Sequence, residues 1–298
     1  MADKRLLFVF NPHSGKGRIR LKLLEIVDIF VKSGYEVIVY PTQCAGDAAE
    51  IIKKNIDRVD LVVGSGGDGT LDEVVSGMAA LKTDIPLGFI PAGSTNDFCS
   101  SLKIPRNMTE AAKCIVSGKV FPCDFGTFNE RPFVYVAAFG MMTEVAYETS
   151  QAMKNALGYL AYILKAGTKI SLLQKYSMKI EADDRTIEGD FIFGMVTNSL
   201  SVGGIKGITG KDVTLDDGLF EVILVRNPVT PLDFGEALTS VVLAPGIKSS
   251  SVEKFKTRHL RIETEEEVAW TLDGENGGAH RLVDIVNQQQ KLHLIIPE

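Results

Sequence analysis

The chain is short of the residues that build metal clusters, disulfides and membrane spans. Its four cysteines, Cys44, Cys99, Cys114 and Cys123, show no C-x-x-C pairing and no histidine at zinc spacing. That excludes a disulfide framework or a zinc finger and leaves buried, reduced thiols in a cytosolic setting. The four histidines, His13, His259, His280 and His293, are scattered, and no two have metal-ligand spacing. No apolar run reaches the length of a membrane span, no signal-peptide core follows Met1, and neither end carries a lipidation motif. Positive charge is in deficit: a formal net charge of −6 argues against nucleic-acid binding and against global attraction to anionic lipid, so any membrane contact is expected to be local. Internal repeats and low-complexity stretches are missing too.

What is present is core-forming material. With 45% hydrophobic residues over 298 positions, the length suits two domains better than one. Strand-like runs at Leu6–Phe10, Glu36–Tyr40, Leu61–Val63 and Leu87–Ile90 alternate with helical patterns. Leu21, Leu24, Val27 and Val31 fall at helical spacing, as do Ala48, Ile51 and Ile52, and Leu71, Val74, Val75 and Met78. This rhythm predicts parallel βαβ units, whose strand-end loops converge on one crevice. Near Cys123-Asp124-Phe125-Gly126 the rhythm changes to strand-type runs: Phe133–Ala138, Tyr176–Glu181, Thr186–Thr197, Leu219–Val225, His259–Glu263 and Val268–Leu272. Helical stretches at Leu157–Leu173 and Pro231–Val242 interrupt them. We therefore expect an α/β domain over 1–126 and a largely β domain over 127–298, with the strand Lys291–Ile296 free to pair with either.

The most telling run is Val62-Val63-Gly64-Ser65-Gly66-Gly67-Asp68-Gly69-Thr70, followed by Leu71-Asp72-Glu73. A buried strand ends in glycines that let backbone amides reach an anion, and a helix start at Thr70 aims its dipole at the same place. Asp68 would repel phosphate oxygens unless a divalent cation lies between, so the combination suggests a nucleoside triphosphate with Mg²⁺. Gly64, Gly66 and Gly69 also satisfy G-x-G-x-x-G. Here, however, the glycines follow the third strand rather than the first, against a dinucleotide fold.

Two more strand ends carry unusual loops. Asn11-Pro12-His13-Ser14-Gly15-Lys16-Gly17-Arg18 is a glycine turn with basic side chains suited to phosphate, without P-loop spacing. Pro91-Ala92-Gly93-Ser94-Thr95-Asn96-Asp97-Phe98 offers hydroxyls, an amide and a second carboxylate, or simply a capped helix start. Asp68, Asp97 and Asp124 are expected to share one crevice around a hydrated Mg²⁺. In the second domain, Asp273-Gly274-Glu275 is either a hairpin turn or the carrier of a general base. Thr214-Leu215-Asp216-Asp217-Gly218-Leu219 is either a hairpin or a cation site using backbone carbonyls. Tyr159, Leu160, Tyr162, Ile163 and Leu164, with Lys165 and Lys169, suit a lipid-facing lip, although a core helix with solvated lysines is the commoner form of this pattern.

Taken in order, these loops resemble the bacterial soluble diacylglycerol kinase and lipid kinase family over nearly the whole chain. The resemblance implies a Rossmann-like, phosphofructokinase-like nucleotide-binding α/β domain with a parallel sheet, followed by a β-sandwich domain. It assigns ATP contacts to Asn11, Pro12, His13, Ser14, Gly15, Thr42, Gly67, Asp68, Gly69, Thr70, Leu71, Asp72, Glu73 and Ser94. Glu275 would accept the proton, and a structural Mg²⁺ would lie at Thr214, Asp217 and Leu219. Ser94 stands where the family commonly has threonine, and His13 where a small hydroxyl residue is frequent.

The resulting expectation is a cytoplasmic, ATP- and Mg²⁺-dependent kinase, with Asp68 and Glu275 as its catalytic residues, that phosphorylates a lipid hydroxyl, foremost that of diacylglycerol. It would work peripherally at the inner face of the membrane, as a monomer or a homodimer. The rivals are a soluble-substrate kinase of the NAD kinase type, against which the Asn11–Gly17 loop and the late Asp-Gly-Glu speak, and a nucleotide-binding regulator that could dispense with Glu275.

Overall fold

The computed structural model describes residues 4–93, 96–140, 174–203, 205–210, 212–243 and 247–298. The chain divides into two compact units, Met1–Phe125 with Gln289–Glu298, and Gly126–Gln288.

In the first unit, apolar runs become the strands of a parallel sheet whose inner strands are covered and whose edge strand is largely open. They are β1 (Lys4–Phe10), β2 (Tyr35–Pro41), β3 (Leu61–Gly66) and β4 (Leu87–Pro91). Every residue of β3 and β4 is buried. The four pair in parallel in the order β4-β3-β1-β2. Between them run the helices α1 (Ile19–Lys32), α2 (Asp47–Asn55) and α3 (Asp68–Leu81), followed by the short α4 (Asp97–Ser101) and α5 (Met108–Ser117). Helix α3 buries Leu71, Val74, Val75 and Met78, the stripe its spacing predicts.

Helix α1 forms where expected but turns a different face inward. It buries Ile19, Ile26 and Phe30, while Leu21 and Leu24 are 86% and 84% exposed. Apolar residues lie on both sides of this helix, so spacing alone cannot choose between them. Phe30 packs edge-on against Phe8 of β1, with ring centroids 5.9 Å apart, and that contact decides the face.

The chain passes into the second unit within β5 (Lys119–Phe128). There follow β6 (Arg131–Phe133), β7 (Val136–Gly140), β8 (Tyr176–Ala182), β9 (Thr186–Thr197), a small hairpin of β10 (Ser201–Val202) and β11 (Ile205–Lys206), and β12 (Phe220–Arg226). Helix α6 (Pro231–Leu238), opened by a Thr230–Asp233 capping box, then leads to β13 (Val252–Thr257), β14 (His259–Leu272) and β15 (Glu275–Ile296). The pairings among β7, β8, β9, β12, β13 and β14 are antiparallel, and β7 and β8 each pair with both β9 and β14. The sheet thus folds over a sandwich core that includes Phe139, Phe191, Phe220 and Trp270. Strand β15 pairs with β14 and then returns to the first unit, where Leu294 lies parallel to Leu87 of β4.

The run Phe133–Ala138, read as one strand, is two: β6 ends at Phe133 and β7 begins at Val136. The stretch Leu157–Leu173, with its apolar lip, lies outside the described residues. Of the thiols, Cys99 and Cys123 are buried, whereas Cys44 is exposed, contrary to expectation.

Candidate active site

Three loops of the first unit meet backbone to backbone. After β1, Gly15, Lys16 and Gly17 all take left-handed conformations, with φ of 56°, 62° and 71°. A Cβ on Gly15 would overlap the carbonyl oxygen of Ala92 in the loop after β4. In that loop, the N–H groups of Ala92 and Gly93 donate to the carbonyl of Gly66 at 2.7 and 3.1 Å. A Cβ on Gly93 would lie 2.6 Å from Gly67 Cα. Glycine is required at these positions because the loops touch through their main chains. Asn11 N–H donates to Ser65 O at 2.9 Å, tying the first loop to the second, and its Oδ1 accepts from His13 N at 2.9 Å. Thr42, buried at the end of β2, donates its N–H to Phe10 O at 2.9 Å. Ser94 lies outside the described residues.

Asp68 opens α3 at the centre of this arrangement. Its Oδ2 accepts the Asn96 N–H at 3.0 Å, while Oδ1 is buried with no hydrogen-bond partner among the described residues. Asn96 holds a left-handed φ of 50° and is pinned by its own side chain, which donates to Gly93 O at 2.7 Å and accepts from Gly93 N at 3.2 Å. Burial, and next the neighbouring Asp97 carboxylate, push Asp68 up to about 6, against the pull of backbone N–H groups that favour its charge. Asp97 is itself only 2% exposed. A cation would relieve both the buried, unpartnered oxygen and the repulsion between two acids.

Asp124 does not join them. It is fully buried within β5, and its Oδ1 accepts the Gln290 N–H at 2.7 Å, fixing β15 where Gln290 turns left-handed at φ 55°. Among the described residues, no three His, Cys, Asp or Glu side chains assemble as a metal site, so the expected three-carboxylate cluster reduces to the Asp68–Asp97 pair. A strand-end position in sequence does not say which way a side chain points. Glu73 likewise has structural work: its two oxygens accept the N–H groups of Gly46 and Ala48 at 2.8 and 3.2 Å, satisfying the start of α2. Asp72 and Thr70 are buried in the first turns of α3, and Leu71 packs inward beside them.

In the second unit, the two acidic turns differ. Asp217 Oδ1 accepts Leu219 N–H at 3.0 Å, and its Oδ2 lies 3.3 Å from the Lys256 ammonium. Lys256 also donates to Asp212 O at 2.7 Å and stands 3.1 Å from Glu221 Oε1. Burial, only partly offset by Lys256, pushes Glu221 up to about 7. Thr214 is exposed and Leu219 half-buried at the same turn. The Lys256 ammonium therefore stands against the carboxylate expected to hold a cation.

Asp273 is 4% exposed, and its carboxylate accepts three main-chain N–H groups, from Val134 at 2.5 Å and from Tyr135 and Val136 at 2.9 Å each. Those donations explain the break between β6 and β7, since amides turned toward a carboxylate cannot continue a strand ladder. With both oxygens engaged and buried, Asp273 cannot reach a substrate. Glu275, two residues on, pairs with Leu272 in the hairpin, while its exposed carboxylate makes no hydrogen bond among the described residues. Neither Asp273's anchoring nor Glu73's capping is visible in local sequence. Asp273's partners lie 137 to 139 positions away, and the only local hint is an Asp-Gly pair, with φ of 52° and 86°.

Comparison with known proteins agrees with this geometry. Residues 5–128 match the family described as the diacylglycerol kinase catalytic domain, and residues 136–292 match the YegS C-terminal NAD kinase beta sandwich-like domain. The chain is 33% identical to a diacylglycerol kinase of Bacillus subtilis, over 99% of this chain and 97% of that one. It is 31% identical to a diacylglycerol kinase of Staphylococcus carnosus, over 99% and 96%. The crystal structure of a diacylglycerol kinase from Bacillus anthracis superposes with a TM-score of 0.76 at 26% identity, covering 98% of this chain and 97% of that one.

Proposed function

Because the chain belongs to the diacylglycerol kinase family, we propose that it transfers the γ-phosphoryl group of ATP to the free hydroxyl of a diacylglycerol, giving a phosphatidate. The observation that carries this reading is the loop cradle around Asp68: glycine loops meet main chain to main chain, and one buried carboxylate oxygen has no partner among the described residues.

ATP's phosphates suit the loops at Asn11–Gly17, Gly67–Thr70 and Gly93, where glycines allow close main-chain approach. The hard oxygens of Asp68 and Asp97 fit Mg²⁺, which when bound supplies positive charge against the phosphates. Glu275 is the general base in this reading. The lipid hydroxyl oxygen attacks the γ-phosphorus, its proton passes to the Glu275 carboxylate, and the bond to the ADP oxygen breaks, leaving the charge on ADP. The exposed, unengaged carboxylate of Glu275 suits that role, and Asp273 does not compete for it.

No helix among the described residues is long and apolar enough to cross a membrane. The protein is proposed to meet its lipid peripherally, at the inner membrane surface. The test is transfer of label from [γ-³²P]ATP to a panel of lipids in mixed micelles, with NAD as a soluble control. Labelled phosphatidate is expected. Labelling of NAD alone would favour the soluble-substrate reading, and labelling of neither would leave a nucleotide-binding regulator.

A further inference from the structure

We infer that Asp273 is a positioning residue: its three-amide anchor sets the place from which Glu275 takes the proton, an inference that rests on Glu275 being the base. The anchor is built from both sides. Trp270, 1% exposed, locks the end of β14 between Phe139 and Phe128, with ring centroids 4.9 and 5.0 Å away. Three residues later, Asp273 N–H donates to Val136 O at 2.8 Å, while its carboxylate gathers the amides of Val134, Tyr135 and Val136.

Beyond this clamp the turn is closed by the hairpin ladder, in which Glu275 stands opposite Leu272 and Asn276 opposite Thr271. Nothing lies within 4 Å of where a Cβ on Gly274 would be. Asn276, the other exposed side chain, is folded back onto Gly278 N–H at 2.8 Å, while Arg131 holds the Asn276 carbonyl at 2.8 Å. Glu275 is therefore the one carboxylate that the turn presents outward, and its origin is fixed by the Asp273 anchor together with the pairing opposite Leu272. Proton transfer requires hydrogen-bond reach, and a misplacement of about 1 Å can cost roughly 10²-fold in rate. An anchor with no substrate contact can thus govern turnover.

The test is a double-mutant cycle on the full-length protein, with near-UV circular dichroism of Trp270 as the check on folding. Asp273→Asn keeps an oxygen for the Tyr135 and Val136 amides but loses the acceptor for Val134. It is expected to lower kcat about 10- to 100-fold with an unchanged KM for ATP. Glu275→Gln is expected to lower kcat about 10²- to 10⁴-fold. If Asp273 acts only through Glu275, the double variant will match Glu275→Gln alone. Multiplying effects would overturn the positioning role while leaving Glu275 as the base. A fully active Glu275→Gln would overturn the base and the positioning role together. Gly274→Ala, which strains the turn without touching the anchor, covers the case in which Asp273→Asn fails to fold. It should lower kcat several-fold in the parent and not at all beside Glu275→Gln, and multiplying losses here would likewise overturn the inference.

Discussion

Two buried aspartates, Asp68 in the first unit and Asp273 in the second, sit at comparable points of their folds and are treated in opposite ways. Both lie at the end of a strand beside glycine. Asp273 has more donors than oxygens, whereas Asp68 has one oxygen with no donor among the described residues and a second acid close by. A saturated carboxylate holds its own chain together. One left short is poised for a cation, and the surrounding fold carries the cost until it arrives.

The sharpest way to break this comparison is to remove Asp68. Asp68→Ala is expected to lower kcat about 10³-fold at saturating ATP and Mg²⁺, in line with the loss of a principal electrostatic group, while the melting temperature holds or rises. Near-normal turnover in the purified variant would put the cation elsewhere. Asp273→Ala should do the reverse to stability, leaving three amides without their acceptor and lowering the unfolding free energy by about 4 kcal/mol. Urea denaturation measures this, and a loss below about 1 kcal/mol would mean that water replaces the carboxylate.

A gentler test uses pH. With Asp68 at about 6 in the fold and 3.8 as its ordinary value, the folded state holds a proton that the unfolded chain has released between those limits. Stability from this group is therefore full below about pH 4 and is lost as pH rises through 6, on the order of 3 kcal/mol in all. In Mg²⁺-free buffer, the wild type should lose melting temperature over that range relative to Asp68→Asn. Parallel curves would show that Asp68 ionises without penalty. The smallest effect concerns Asp217, whose proposed cation at ten times its Kd would stabilise by about 1.4 kcal/mol. Asp217→Ala should abolish this Mg²⁺-dependent rise, and an equal rise in both proteins would leave Lys256 as the turn's only cation.

How much of this was legible beforehand depended on the reach of each interaction. The parallel βαβ rhythm, the stripe on α3 and the change to antiparallel strands are local patterns, and the chain follows them. The face of α1 was not legible, because Leu21 and Leu24 compete with Ile19, Ile26 and Phe30 until β1 supplies Phe8. Nor was the break at Val134 and Tyr135, whose amides serve a carboxylate over 130 positions away. The three aspartates after strands read as one group, yet Asp124 turns to the backbone of Gln290. The glycine-rich loops were readable as places where backbone could approach an anion, but not as contacts with one another, such as the one that leaves no room for a Cβ on Gly93 beside Gly67.

The return of β15 carries a consequence for synthesis. Gly118 meets the Ile296 carbonyl, and Leu292 and Leu294 are buried in the first unit, so that unit lacks part of its own core until residues 289–298 have been made. The ribosome produces the entire second unit in between. The first unit must therefore wait, incomplete, with the β4 flank of its sheet open, and this is a window in which a chaperone or a neighbouring nascent chain has access to it.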